Sequence, residues 1–309
     1  MRDGESLIQA LQRMESMDNW QHYVEDAWIR MSNNGRDYIN SDGTMPKDWL
    51  LSPLKSDSFE SFFGWWGWML YPQENYHLLC ESIDLSKIKE ASHPGLSRWK
   101  DASWIGSRGH DLSGYLDQIS PITAATVHNI VSLFDHVNSF GSVVHWGPGS
   151  GNYTLMMRHL GATHTEFLID LPLVSLMQYD FLRRSFEDFG YGDVNLITSK
   201  DDQLIEGGVN IVPLPFVDNV PQDHDLFIAF HSLSESSVAA QNYVISDRSW
   251  FGADMLALSW NDNLQEILNG KLEPWGSGSA HWTSMHTGWD SGLIKTGAGT
   301  HLYETEKIK

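Results

Sequence analysis

Thiols are almost missing from this sequence. Cys80 is its single cysteine, so no disulfide can form within the chain, which points to a reducing compartment and a cytoplasmic protein. Long hydrophobic runs are missing too: no apolar stretch approaches the roughly 20 residues that a membrane-spanning helix needs. The first residues, MRDGESLIQALQRM, are charged and patterned as an amphipathic helix, unlike a signal peptide. Basic side chains are scarce, with 20 Lys and Arg against 40 Asp and Glu, giving a formal net charge of −20. Excess acid serves solubility, and it also repels phosphate backbones. Nucleic acid is therefore not an expected partner, and neither is a membrane. Neutral or cationic small molecules match that charge better.

What is present is an ordinary globular composition, 41% hydrophobic and 19% charged, in a chain long enough for one large domain or two. Residues 1–138 read as helices and loops without β-α-β alternation, a helical cap expected to shape an acceptor pocket. SLIQALQRM and NWQHYVEDAWIRM carry apolar positions three and four apart, and PITAATVHNIVSLFDHV (121–137), opened by Pro121, is the clearest helix. Between them lies FESFFGWWGWMLYP (59–72). Trp65, Trp66 and Trp68 there could stack on a sugar or a base, or pack into a core or a homo-oligomer interface.

From residue 139 the texture changes. GSVVHWG, TEFLIDLP, DLFIAF and DMLALSW read as strands, with shorter β-type runs at DVNLITS and VNIVPLP. Helical patterns separate them: NYTLMMRHLG closed by Gly161, LVSLMQYDFLRRSFEDFG closed by Gly190, SVAAQNYVI, and DNLQEILNG. SAHWTSMHT and GTHLYETEK read as two closing strands around a Gly-rich turn. Continuous apolar strands alternating with helices predict an α/β fold over 139–309. It would be a doubly wound, mostly parallel sheet covered on both faces, with a helical N-terminal domain and a C-terminal antiparallel strand pair.

The stretch VVHWGPGSGN (143–152) runs a strand into a glycine-dense turn. In open parallel sheets ligands sit beyond the carboxyl ends of the strands, and glycine lets the backbone lie against them. The spacing of Gly147, Gly149 and Gly151 is G-x-G-x-G, one residue tighter than the dinucleotide fingerprint. Asp170 ends the second strand at the distance where an acidic side chain meets ribose hydroxyls, and it accepts both hydroxyl hydrogens if it does so. Its other reading is a cap for the helix that starts near Pro172.

VVHWGPGSGNY, FLIDLPLVSLMQYDFL and DLFIAFHSLSESS together resemble the S-adenosylmethionine-dependent methyltransferases of the Rossmann-like class, and more narrowly the sugar O-methyltransferase family. The resemblance covers about 140–245, extends weakly to the C-terminus and gives little before residue 110. It implies S-adenosylmethionine as cofactor, with Gly147, Gly149 and Gly151 facing its methionine part, Asp170 on the ribose and Leu171 beside the adenine. His145 stands where the family usually has a carboxylate that organises the loop and the cofactor's amino end; a neutral imidazole can still accept one hydrogen bond. A sugar as the small-molecule acceptor is implied by the resemblance alone.

Methyl transfer from a sulfonium is chiefly a matter of positioning, plus removal of the acceptor's proton. Acceptor-contacting groups should emerge after DLFIAF, where the chain offers His231, Ser232, Ser234 and Glu235. His231 is the candidate general base, and Glu235 the group that orients its imidazole or holds a sugar hydroxyl. Alternatively His231 is a hydrogen-bonded core histidine and Glu235 a first-turn helix residue. Trp260, Asn261 and Asp262 follow the next strand and face the same edge. No H-E-x-x-H or C-x-x-C motif occurs. His281, His286 and His301 fall on the closing strands, and Asp201, Asp202 and Asp223 on loops, so no metal site is expected, while magnesium at the acceptor stays open. Two other readings remain: a nicotinamide-dependent oxidoreductase, against which the glycine spacing argues, and a methyltransferase-like binding protein without activity, which His145 favours.

Overall fold

The computed structural model describes residues 5–36, 39–41, 133, 139–149, 151–159, 161–230, 232–260, 280–284 and 289–295. Helix α1 (Leu7–Glu15) opens with a capping box: the Ser6 hydroxyl accepts from Gln9 N–H, and Ser6 N–H donates to the Gln9 side chain. The helical pattern in NWQHYVEDAWIRM is broken in two. A 3-10 turn (Gln21–Tyr23) ends at extended Val24, and only then does α2 (Asp26–Gly35) begin. The cause is tertiary. The carbonyls of His22 and Tyr23, which a continuous helix would use internally, accept instead from Ser237 Oγ at 2.6 Å and Ser237 N–H at 3.3 Å.

Strand β1 (Phe140–Trp146) leads into α3 (Asn152–His159), β2 (Thr163–Asp170) and α4 (Pro172–Phe189). Pro172 supplies a helix-ready first residue, and Gly190, at φ 71°, closes α4 in the left-handed region. Leu173, Leu176, Met177, Phe181 and Phe186 are buried along it, a helical spacing whose burial stabilises by roughly 1.5–3 kcal/mol per fully covered side chain. Then come β3 (Val194–Leu196), β4 (Val209–Pro213), β5 (Leu226–Phe230), the short α5 (Val238–Asn242), β6 (Met255–Trp260), β7 (Ala280–Ser284) and β8 (Trp289–Lys295).

The strands form one sheet in the order β3-β4-β2-β1-β5-β6-β8-β7. The first six in that order are parallel, and β8 runs antiparallel to both β6 and β7. This is the doubly wound, mostly parallel α/β sheet with an antiparallel closing pair. Its second closing strand is WDSGLIK; GTHLYETEK lies outside the described residues, as do the helix expected in DNLQEILNG, all of the helix expected at 121–137 but the buried, helical Leu133, and Trp65, Trp66 and Trp68. The chain winds outward from β1 through β2, then returns to β5 on β1's other side, so strand order reverses at β1. One face of the sheet (Val144, Trp146, Phe167, Ile169, Phe227, Ala229, Leu256, Leu258) shares a core with Met14 and Trp20, which fixes the N-terminal segment beside the carboxyl ends of the strands. No helix among the described residues is long and apolar enough to cross a membrane.

Candidate functional site

At the reversal point β1 delivers the chain into Gly147-Pro148-Gly149-Ser150-Gly151. Gly147 and Gly149 sit at φ 62° and 61°, a region in which L side chains are strained. They differ in what surrounds them. A Cβ on Gly147 would lie 2.5 Å from the Ser232 Cβ, whereas one on Gly149 would meet nothing within 4 Å. Gly151 is buried against Leu182, a packing position at the start of α3.

Asp170, at the end of β2, is tied to that turn. Its Oδ2 accepts from Gly149 N–H at 3.1 Å and from Gln178 Nε2 at 2.9 Å, and its Oδ1 accepts from Leu171 N–H at 2.8 Å. Gln178 Nε2 also reaches the Gly149 carbonyl at 2.7 Å. Burial pushes the Asp170 carboxyl up to about 7 despite these donors. The residue standing at the N-cap of α4 is Leu171, with no side-chain cap, so Asp170 does not serve as that helix's capping side chain.

Gly147, Gly149, Asp170 and Leu171 line a cleft of about 680 Å³, and Glu235 lines it too. Glu235 closes a 3-10 turn (Leu233–Glu235) ahead of α5, which sets aside the alternative of a first-turn residue of that helix; burial alone pushes its carboxyl up to about 7. Trp146 forms another wall. Its Nε1 donates to Ser236 Oγ at 3.0 Å, Ser236 Oγ donates to the Ser232 carbonyl at 3.0 Å, and Ser232 Oγ donates to the Trp146 carbonyl. The far wall is Tyr23, Val24 and Trp28 from the N-terminal segment. Tyr23 is held against Tyr243 with ring centroids 4.9 Å apart, and Asn19 Nδ2 donates to the Pro215 carbonyl at 2.9 Å.

His145 is not brought into this group. Strand alternation turns it away from Trp146 to the opposite face of the sheet, where its Nε2 lies 2.9 Å from Glu166 Oε2. Glu166 is fully buried and also accepts from Arg158 Nε at 2.8 Å and Thr163 Oγ1 at 2.6 Å. Burial would raise its carboxyl, but His145, Arg158 and Thr163 outweigh that and hold it below the ordinary range. An ionised Glu166 makes Nε2 the protonated nitrogen of His145, and His145 borders a smaller cavity with Tyr153 and Phe230.

His231 lies outside the described residues, as do Asn261, Asp262, His286 and His301. Trp260 ends β6 and His281 lies in β7. Asp202 organises its own loop, its Oδ2 accepting from Thr198 N–H at 2.7 Å and Ser199 N–H at 3.0 Å, and Asp223 is exposed. Among the described residues no three His, Cys, Asp or Glu side chains gather as metal ligands. Sequence reasoning missed Tyr23, Trp28 and Trp146 as walls, and the Glu166–Arg158 pair. The signal for Gln178 was present, as the glutamine of FLIDLPLVSLMQYDFL.

No family model matches the chain, and no curated protein matches it. Among solved structures it is similar to magnesium protoporphyrin IX methyltransferase from Synechocystis PCC 6803 with bound SAH, at 13% identity over 68% of this chain and 98% of that one, TM-score 0.37. An O-methyltransferase family protein from Burkholderia thailandensis aligns at 12% identity over 96% of this chain and 89% of that one, TM-score 0.37. The 16S rRNA methylase RmtB aligns at 11% identity over 94% and 98%, TM-score 0.33. At identities and scores this low, the likeness carries no argument about substrate or chemistry.

Proposed function

We propose that this chain is an S-adenosylmethionine-dependent O-methyltransferase that methylates a hydroxyl of a sugar or glycosylated small molecule. The observation that carries the proposal is the meeting of Gly147, Gly149, Asp170, Leu171 and Glu235 around one cleft at the strand reversal. The residues fit an adenosine-bearing ligand. Space stands open over Gly149. Asp170 Oδ1 accepts a single protein hydrogen bond and keeps a lone pair for a ribose hydroxyl. Ile169, Leu171 and Leu214 form an apolar shelf for a planar base.

When bound, the sulfonium supplies a methyl carbon that already carries a good leaving group. The chain's own part is to hold the acceptor oxygen in line and take its proton as the new C–O bond forms. His231, just past the end of β5, is proposed as the base, with Glu235 orienting its imidazole or holding a sugar hydroxyl. Residues 1–138 are proposed as the cap that shapes the acceptor side, a reading supported by Tyr23, Val24 and Trp28 in the cleft wall. Isothermal titration with S-adenosylmethionine, followed by mass spectrometry of glycans for one added methyl, tests the proposal. Saturable heat and a methylated glycan are expected; absence of binding at millimolar ligand contradicts it.

A further inference from the structure

We infer that Ser142 is an activated nucleophile that takes an acyl group from a neutral activated ester, with His224 as its base. The site stands apart from the proposed function. Ser142 lies near the amino end of β1 and His224 just before β5, whereas the cleft gathers at the carboxyl ends of the strands. Ser142 Oγ and His224 Nδ1 are 2.7 Å apart. His224 Nε2 lies 3.0 Å from the Pro221 carbonyl, which can only accept, so Nε2 carries the proton of the neutral ring. Nδ1 is then a bare lone pair, and the Ser142 hydroxyl donates to it. Burial, helped by Arg248, lowers the imidazole below its ordinary value against the pull of Pro221, Asp223 and Asp225, so the ring is uncharged at neutral pH. A nucleophile, its base and a third group that orients the base are the parts from which serine reactivity is assembled.

The pair is held before any reagent arrives. Asp225 N–H donates to the Ser142 carbonyl at 3.0 Å and Asp254 N–H to the His224 carbonyl at 2.9 Å. The Phe167 ring meets the imidazole edge-on, with centroids 5.1 Å apart. His224 is buried and Ser142 half-buried, while Gly141, Gln222 and Asp223 beside them are exposed, which brings solvent to the edge of the pair. Charge chooses the donor. Asp223 and Asp225 flank His224 in a chain of formal charge −20, so a phosphoryl or other anionic donor is repelled and a neutral acyl donor is not. The bond from Ser142 Oγ to the acyl carbon forms as the bond from that carbon to its leaving oxygen breaks. The hydroxyl proton passes to His224 Nδ1 and from there to the departing oxygen. The N–H groups of Gly141 and Ser142 both donate to Asp225 Oδ2, so neither is free to hold the oxyanion of a tetrahedral intermediate. A good leaving group tolerates that loss during acylation, whereas hydrolysis of the acyl-serine does not. The product is a lasting acyl-serine, made once per chain, without turnover.

The test is acetylation of the full chain by p-nitrophenyl acetate, read by peptide mass spectrometry. Ser16 is the internal reference: it is exposed, and its hydroxyl donates to the Arg13 carbonyl in place of a base. Ser142 should acquire acetyl on the order of 10²-fold faster than Ser16, the lower end of what a positioned base supplies. Its rate should rise with pH and level off by about pH 7, because His224 titrates below its ordinary value of about 6.5. His224→Gln should remove the advantage and the plateau together. If that variant does not fold, the pH profile of the wild type carries the test. Labelling of Ser142 at the rate of Ser16 overturns the inference. A rate that climbs with hydroxide without a plateau also overturns it, as does an unchanged rate in folded His224→Gln. None of these results bears on the cofactor cleft, so the proposed function stands or falls separately.

Discussion

The Gly149 N–H donates to Asp170 Oδ2 at 3.1 Å, tying the turn after β1 to the end of β2. Gln178 closes the triangle by donating to both the Gly149 carbonyl and Asp170 Oδ2. The two features that stand out in the sequence, a glycine turn and an acid beyond it, are thus one hydrogen-bonded unit. Asp170→Ala should weaken S-adenosylmethionine binding by roughly 1.5–3 kcal/mol, the range for hydrogen bonds to charged groups. Gln178→Leu, though its side chain is buried, should weaken it by about 1 kcal/mol through the shape of the turn. Titration calorimetry on both variants checks this; an unchanged Gln178→Leu affinity would separate the turn from the ligand.

Two alanine substitutions in the turn should behave differently. Gly147→Ala combines a left-handed φ with a Cβ 2.5 Å from Ser232 Cβ and should lower stability by about 1–3 kcal/mol. Gly149→Ala meets no atom and should cost only about 1–2 kcal/mol of backbone strain. Its methyl would occupy space proposed for the ligand, so its binding loss should exceed its stability loss. Urea denaturation and ligand titration on the same pair give both numbers.

The ion pair under the sheet predicts a stability effect distinct from binding. Arg158→Ala would strip the buried Glu166 of a charged partner, and such single deletions cost about 3–5 kcal/mol. His145→Gln should lower stability by a smaller amount and leave cofactor affinity within about twofold, because His145 faces away from the larger cleft. A large affinity loss in His145→Gln would return that residue to the cofactor site.

Protonation gives a fourth outcome. Burial pushes the Asp170 and Glu235 carboxyls up to about 7, whereas unfolded they titrate near ~4. Between about pH 4 and 7 the folded chain therefore binds more protons than the unfolded chain, and this part of the stability falls as pH rises. It is fully present below the unfolded values and gone above about 7. Asp202 and Glu166, held below their ordinary range, act with the opposite sign, and their contribution is lost only in stronger acid. Thermal melts of wild type and Glu235→Gln should coincide near about pH 4, with the variant melting higher near about pH 8. A constant offset across that span would contradict the assignment.

Much of the sheet was legible because its strands are continuous apolar runs with strong punctuation. Gly161 and Gly190 stop their helices where the pattern places them, and VNL and VNIVP both become strands. The break at Val24 was not legible. It depends on Ser237, which lies far along the sequence and competes for the carbonyls of the turn. His145 misleads for a related reason: a motif position identifies a strand end, but only alternation and the depth of Glu166 decide which face the side chain takes. Asp170, Leu171 and Glu235 could be placed together on one cleft because strand ends gather at one edge whatever covers them. Tyr23 and Trp28 were not, since nothing local to their segment says which part of the sheet it crosses.

The most direct measurement is a crystal structure of the chain grown with S-adenosylmethionine. The account predicts density in the cleft between Gly149 and Trp28, with a ribose hydroxyl on Asp170 Oδ1 and the adenine beside Leu171. An empty cleft at saturating ligand, or the ligand bound elsewhere with Asp170 still engaged only by Gly149, Leu171 and Gln178, would contradict it.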